Sequence, residues 1–176
     1  GAQVGAIQQL VKLVEERTTA NTAALATMVL AATSVVARLI GGRMVASMSM
    51  MPFTAALAAV QMVALVALGF AGTTAGIFGS IVLLGATVGN ILMLQPLLIA
   101  ERFGVRDYPK IYSRAQLFGL VGTAGGPMLL GWLHDASGGY RASYVAAGCL
   151  SLGGAVVFLM SGSSTAPAEP SIEVAA

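Results

Sequence analysis

The chain has 176 residues, of which 57% are hydrophobic and 9% are charged, with a net charge of +2 and a mean hydropathy of +0.86. Soluble domains carry roughly 25% charged residues, so this composition excludes a water-soluble fold and predicts an all-α, polytopic integral membrane protein. With one cysteine, one histidine and no phosphate-binding or nucleophile motif, the sequence predicts no metal site, no cofactor, no nucleic-acid partner and no enzyme.

The first two elements are apolar helices. Residues 1–17 have apolar side chains at helical spacing but are too short to cross a bilayer, so they are interpreted as the end of a truncated span. A second span is predicted over residues 23–40. It is uncharged until Arg38, and Gly41-Gly42-Arg43 is predicted to begin a loop that reaches Pro52.

Four more spans follow. They are predicted over residues 53–70, 75–100, 115–133 and 143–160, each an apolar run with few charges. The charged segment ERFGVRDYPKIYSR, residues 101–114, is predicted to be an interfacial helix or loop in contact with membrane lipid headgroups. Together these elements make residues 1–160 one membrane domain.

The basic residues indicate an orientation. Six of them lie in or beside the loops after the second and fourth spans, namely Arg38, Arg43, Arg102, Arg106, Lys110 and Arg114. Three lie on the other side, namely Lys12, Arg17 and Arg141. Because cytoplasmic loops carry the excess of Lys and Arg, the first set is predicted to face the cytoplasm of a cell (inner) membrane. The polar tail, residues 161–176, is then a disordered cytoplasmic segment.

Glycines mark two of the spans. Gly85 and Gly89 form a small-xxx-small pair, and Gly125-Gly126-Pro127 is predicted to interrupt the fifth span. The simplest interpretation is close helix packing, and the alternatives are a dimerisation face or a gating hinge. Gly41, Gly42, Gly125, Gly126 and Pro127 are therefore candidate packing or gating residues.

Two stretches resemble a known family. Arg38-Leu-Ile-Gly41-Gly42-Arg43 resembles the loop between the eighth and ninth helices of the major facilitator superfamily. Gly122-Thr-Ala-Gly-Gly-Pro-Met-Leu-Leu-Gly-Trp-Leu-His-Asp-Ala-Ser-Gly-Gly-Tyr140 resembles the eleventh helix and following turn of its monocarboxylate and oxalate/formate branch. The resemblance implies the C-terminal six-helix half of such a transporter, with the first helix truncated.

The resemblance also implies a function. It implies a secondary transporter that moves small organic anions such as monocarboxylates by alternating access, together with the missing N-terminal half of the same chain. Two departures stand out: the loop's usual acidic-basic pair is replaced by Val45-Ala46-Ser47-Met48, and Ser34 stands where proton-linked carriers have an Asp. A titrating acid at that position is therefore absent.

Two polar residues are candidates for substrate binding. Arg38 is interpreted either as an anchor that reaches the headgroups or as the cation that binds a substrate carboxylate, the role that the resemblance gives it. Asn90 is expected either to form interhelical hydrogen bonds or to line the substrate cavity. The alternative function is a non-transporting membrane scaffold or assembly subunit, whose spans only pack against partners.

Overall fold

The computed structural model describes residues 2–45 and 48–160, except for the side chains of Val105 and Phe158. The predicted disordered tail, and Ala46 and Ser47 of the predicted loop, lie outside the described residues. The described part is helical throughout apart from short turns. Its helices are α1 (Ala2–Arg17), α2 (Ala20–Val45), α3 (Met50–Phe70), α4 (Thr74–Ser137) and α5 (Tyr140–Met160).

Helix α4 consists of two arms joined at Gly104. The backbone there has φ 72° and ψ 169°, whereas the rest of the helix keeps helical angles. Glycine adopts such a conformation without the clash that a Cβ atom would cause. Residues 74–103 form the first arm and residues 105–137 the second. The segment 101–114, predicted to be an interfacial helix or loop, is therefore helical with a one-residue break.

Two other sequence predictions are wrong. Gly41 and Gly42 lie within the last turns of α2 and do not begin a loop. The second arm of α4 also continues through Gly125-Gly126-Pro127 without interruption. In an apolar surrounding an open backbone has no water to bond to, so a helix persists through glycine and proline that would end it in water.

Among the described residues, three helical segments are both long enough and apolar enough to cross a membrane. These are Ala20–Val45, Met50–Phe70 and Thr74–Gly104. The spans over the second arm of α4 and over α5 remain predictions of the sequence.

Helix α1 packs one face into the bundle. It contacts α2, α4 and α5, while α3 packs mainly on α5 and α2 packs on α4. Its Leu10, Leu13 and Val14 are completely or almost completely buried. By contrast, α2 and the second arm of α4 expose large apolar side chains, including Leu25, Met28, Val35, Leu39, Phe118, Val121, Met128 and Trp132. Such faces suit lipid or another apolar surface.

One end of the bundle is held by polar contacts. We call it the Arg17 end, because α1 ends there at Arg17 and α3 ends beside it at Phe70. The guanidinium of Arg17 donates to the carbonyl oxygens of Leu68 (3.1 Å), Gly69 (3.0 Å) and Ala71 (2.6 Å). These are carbonyls that a helix C-terminus leaves without helical partners, so Arg17 caps α3 from the neighbouring helix.

Two tyrosines of α5 add to the Arg17 end. The Tyr140 hydroxyl donates to Glu16 Oε1 (2.8 Å), and the fully buried Tyr144 donates to the carbonyl of Ala6 (2.9 Å). The Tyr140 ring also lies 4.4 Å from the ring of His134, centroid to centroid. Helices α1, α4 and α5 are thereby joined at this end.

Candidate functional site

Helices α2 and α4 approach each other closely along a row of small residues. A Cβ atom at Gly85 would lie 2.8 Å from the carbonyl oxygen of Leu30, and one at Gly89 would collide with the carbonyl of Ser34. The two backbones are therefore in direct contact over about one turn of each helix. The Gly85–Gly89 pair serves the packing of this crossing, as the simplest interpretation of the sequence predicts.

Asn90 lies buried at the same crossing, with 5% of its surface exposed. Its Nδ2 donates to the carbonyls of Ala37 in α2 (3.1 Å) and Ala86 in α4 (2.9 Å). Its Oδ1 has no hydrogen-bond partner among the described residues and rests against Gly41. A side chain at Gly41 would overlap Asn90, so this glycine is required by the contact.

Arg38 lies next to Ala37 and reaches the same helix. Its Nε donates to the carbonyl oxygen of Gly89 at 3.2 Å, while the residue as a whole is exposed. The two predicted substrate-binding residues, Arg38 and Asn90, are thus brought together. Both join α2 to the first arm of α4, through consecutive positions on each helix.

The other predicted gating or packing residues divide between two places. Gly42 faces Met93, whose sulfur would be 3.9 Å from a Cβ at that position. Gly126 lies on the second arm, where α1 crosses it at Gly5. Gly125 has open space beside it, and Pro127 lines a cleft between α1 and the second arm. The glycines of the second arm are therefore remote from Arg38 in the contacts they make.

Two cavities open beside the start of α1. Cavity A, about 640 Å³, lies among α1, α3, both arms of α4 and α5. Cavity B, about 630 Å³, lies between α1 and the two arms of α4. Both are lined by Gln3 and Ile91. The bundle is thus hollow toward the end opposite Arg17, which we call the Gly104 end.

Cavity A contains polar groups that the sequence analysis missed. Gln61 is 4% exposed, and its Oε1 has no hydrogen-bond partner among the described residues. Gln3 Nε2 is likewise buried and unpartnered. The sequence feature that could have revealed this polar site is Gln61 itself, a carboxamide within an otherwise apolar span. Buried polar groups are normally hydrogen-bonded, so these amides mark a place where a further group is expected.

A third cleft, about 490 Å³, carries the charged side chains. It is lined by residues that include Lys12, Glu16, His134 and Asp135. His134 Nδ1 lies 3.4 Å from Asp135 Oδ1, a long contact at an exposed site. This cleft is at the Arg17 end and shares no residue with the Arg38–Asn90 crossing. Within residues 2–45 and 48–160, no group of three His, Cys, Asp or Glu side chains is arranged to hold a metal ion.

A comparison with protein families identifies the class of protein. The model of the Major Facilitator Superfamily matches residues 5–175. The chain belongs to this superfamily of membrane transporters, which agrees with its apolar helical bundle. No curated protein matches the chain.

Membership of this superfamily tests several of the predictions made from the sequence. The all-α membrane bundle and the major facilitator fold are confirmed, and the chain is an integral membrane protein that forms part of a transporter. The scaffold alternative is not favoured. Because members of the superfamily transport solutes rather than transform them, the family also agrees with the prediction that the chain is not an enzyme.

Proposed function

We propose that the intact protein is a secondary active transporter of small organic anions such as monocarboxylates, which works by alternating access. The observation that carries this proposal is Arg38. It is a cation in α2, anchored through Nε to the backbone of α4, and its residue surface is exposed. A planar guanidinium presents paired donors that match a carboxylate.

The amide of Asn90 has a supporting role in this proposal. Both N–H groups of its Nδ2 have acceptors, one in each helix, and an amide nitrogen has two N–H groups in all. Asn90 therefore has no donor left for an anion. It holds α2 against α4, and so fixes the backbone from which the Arg38 side chain extends.

The missing N-terminal half of the same protein completes the pathway in this proposal. In such transporters the substrate lies between the two halves near the membrane midplane. The exposed apolar side chains of α2 and of the second arm of α4, and the hollow Gly104 end, offer surfaces that this half would cover. Membrane lipids would cover the remaining apolar faces.

The proposed orientation places the Gly104 end in the cytoplasm of the cell (inner) membrane. It rests on the six basic residues on that side against three on the other, and it makes the C-terminus cytoplasmic. A cysteine introduced at the exposed Ser113 would then react with a membrane-impermeant reagent only from the cytoplasmic side. Labelling from outside would reverse the proposed orientation.

Uptake of anions by the full-length protein tests the role of Arg38. Arg38→Lys keeps the charge and the long stem but loses the paired donors. We expect the variant to insert normally and to bind a monocarboxylate about tenfold to a hundredfold more weakly, the effect of losing roughly 1.5–3 kcal/mol. Arg43→Lys, five residues further along α2, is the matched control and should transport normally. Wild-type uptake by Arg38→Lys would reject the binding role.

A further inference from the structure

From the contact between Arg38 and α4, we infer that Gly89 is a positioning residue. Its carbonyl binds Nε of Arg38 and leaves the Nη1–Nη2 edge of the guanidinium to receive the substrate carboxylate end-on. This inference rests on the proposed function, because it assumes that Arg38 binds the anion. It specifies which N–H donors of Arg38 bind the carboxylate, and it identifies Gly89 as the residue that leaves those donors available.

The donor count of the guanidinium leads to this assignment. A guanidinium has five N–H donors, one on Nε and four on the two Nη atoms. A carboxylate binds two parallel donors, either the side edge with Nε or the end edge with both Nη atoms. Nε of Arg38 already donates to the Gly89 carbonyl at 3.2 Å. The side edge has therefore lost one of its two donors, and the end edge is complete.

The remaining Nη donors have no acceptor among the residues that the structure describes, since the bond from Nε is the hydrogen bond that Arg38 forms there. The residue as a whole is exposed. A guanidinium held by one nitrogen and open at the other two loses less freedom when a ligand binds than a fully mobile one. The tether thus makes Arg38 a pre-oriented anion site.

The glycine at position 89 is what makes the tether possible. A Cβ atom there would collide with the carbonyl of Ser34. Any side chain at 89 would therefore push α2 away from α4 and move Arg38 away from its acceptor. One turn earlier, Gly85 makes the same kind of close approach, to Leu30. Within the part of the chain that the structure describes, no arginine donates to the carbonyl of Gly85, so Gly85 separates the packing role from the positioning role.

Transport kinetics of the full-length protein test the positioning role, with radiolabelled lactate as the probe. Gly89→Ala should raise KM about tenfold with little change in kcat, because it misplaces donors that bind substrate. Gly85→Ala is the matched control for separation of the helices: its Cβ makes a shallower clash with α2, 2.8 Å from the Leu30 carbonyl oxygen, so it should raise KM by less than about threefold. In the Arg38→Lys background, Gly89→Ala should add no further loss, since the two residues act through one interaction. Equal effects of Gly85→Ala and Gly89→Ala, or additive losses in the double variant, would overturn the inference.

A spectroscopic measurement keeps the inference testable if Gly89→Ala does not insert. Nitrogen-15 labelling of arginine in the solubilised full-length protein resolves the Nε–H and Nη–H signals of Arg38, assigned by their loss in Arg38→Lys. We expect Nε–H to be protected from exchange before lactate is added and unchanged afterwards, while the Nη signals shift. A shift of Nε–H on addition of lactate would indicate side-on binding and refute the assignment. Retention of the Nε protection with no response to lactate at any donor would instead refute the proposed function.

Discussion

The two ends of the bundle are built differently. At the Arg17 end, one guanidinium binds three carbonyls at and just beyond the C-terminus of α3, and tyrosine hydroxyls join α5 to α1. At the Gly104 end, two cavities of more than 600 Å³ lie beside the start of α1, and Gln3 Nε2 and Gln61 Oε1 are buried with no hydrogen-bond partner among the described residues. The Arg17 end is joined by polar contacts between helices, although Gln9 Oε1 in the cleft there is a buried acceptor with no partner among the described residues. At the Gly104 end the unpartnered amide atoms instead lie beside two cavities.

This difference shows which end of the bundle is joined by its own side chains. Unpaired polar groups are costly in an apolar surrounding, whereas the interhelical hydrogen bonds of the Arg17 end stabilise the helices there. A hollow end with orphaned amides gains stability from whatever enters it. Variants at each end, and at the α2–α4 crossing between them, test whether the two ends differ in this way.

The largest expected effect is at the Arg17 end. Arg17→Ala removes three charge-assisted hydrogen bonds to the end of α3, and we expect the free energy of unfolding to fall by about 3 kcal/mol. Denaturant titration of the solubilised protein measures this loss. Arg43→Ala, an exposed arginine near the end of α2, is the control and should cost less than about 0.5 kcal/mol. Similar losses in both variants would show that Arg17 does not hold this end together.

An intermediate effect is expected at the crossing. Gly41→Ala places a methyl group where Asn90 lies, and we expect a loss of about 2 kcal/mol in the free energy of unfolding. Gly42→Ala meets only Met93 at an ordinary contact distance, so it should be neutral or slightly stabilising because alanine favours the helix. The same denaturant titration compares the two neighbours. Equal stability of both variants would contradict the close contact of α2 with Asn90.

The smallest expected effect, and one of opposite sign, is at the Gly104 end. Gln61→Leu removes a buried acceptor that has no partner, so the 176-residue chain should gain about 1 kcal/mol in its free energy of unfolding. In the full-length protein the gain should vanish if the N-terminal half supplies a donor to Gln61. Gln116→Leu is the control, since that exposed amide already donates to the Tyr112 hydroxyl. A loss of stability in the chain on its own would mean that Gln61 is satisfied there.

The sequence allowed the helices to be predicted better than their ends. The third span was predicted to end at Phe70, where α3 does end, because an uncharged apolar run is followed directly by the turn at Gly72. The continuation of α2 through Gly41 and Gly42 was missed, since glycine lowers helix propensity in water. In this bundle Gly41 is held by its contact with Asn90, a tertiary contact that propensity does not include.

The site was predicted in part for a similar reason. Arg38 and Asn90 stood out as polar groups in apolar runs, and the structure brings them to one crossing. Gln61 is also a polar residue within an apolar run, but it was not among the predicted site residues. A helix that is apolar on every side does not reveal which face turns inward, so the burial of Gln61 depended on the packing of its neighbours. The proposed role of Gly89 could not be predicted from the sequence either, because it depends on the backbone carbonyl, which every residue has.

The break at Gly104 has a practical consequence for imaging the protein. The segment Thr74–Gly104 has 31 residues and measures about 46 Å at 1.5 Å per residue, whereas the hydrocarbon layer is about 30 Å thick. A first arm that begins at one edge of this layer and stands near the membrane normal therefore carries its joint with the second arm about 15 Å beyond the opposite edge of the hydrocarbon. A membrane protein with little mass outside the detergent micelle would then offer a charged protrusion. An antibody fragment raised against it would give particles a recognisable shape for alignment in electron cryomicroscopy.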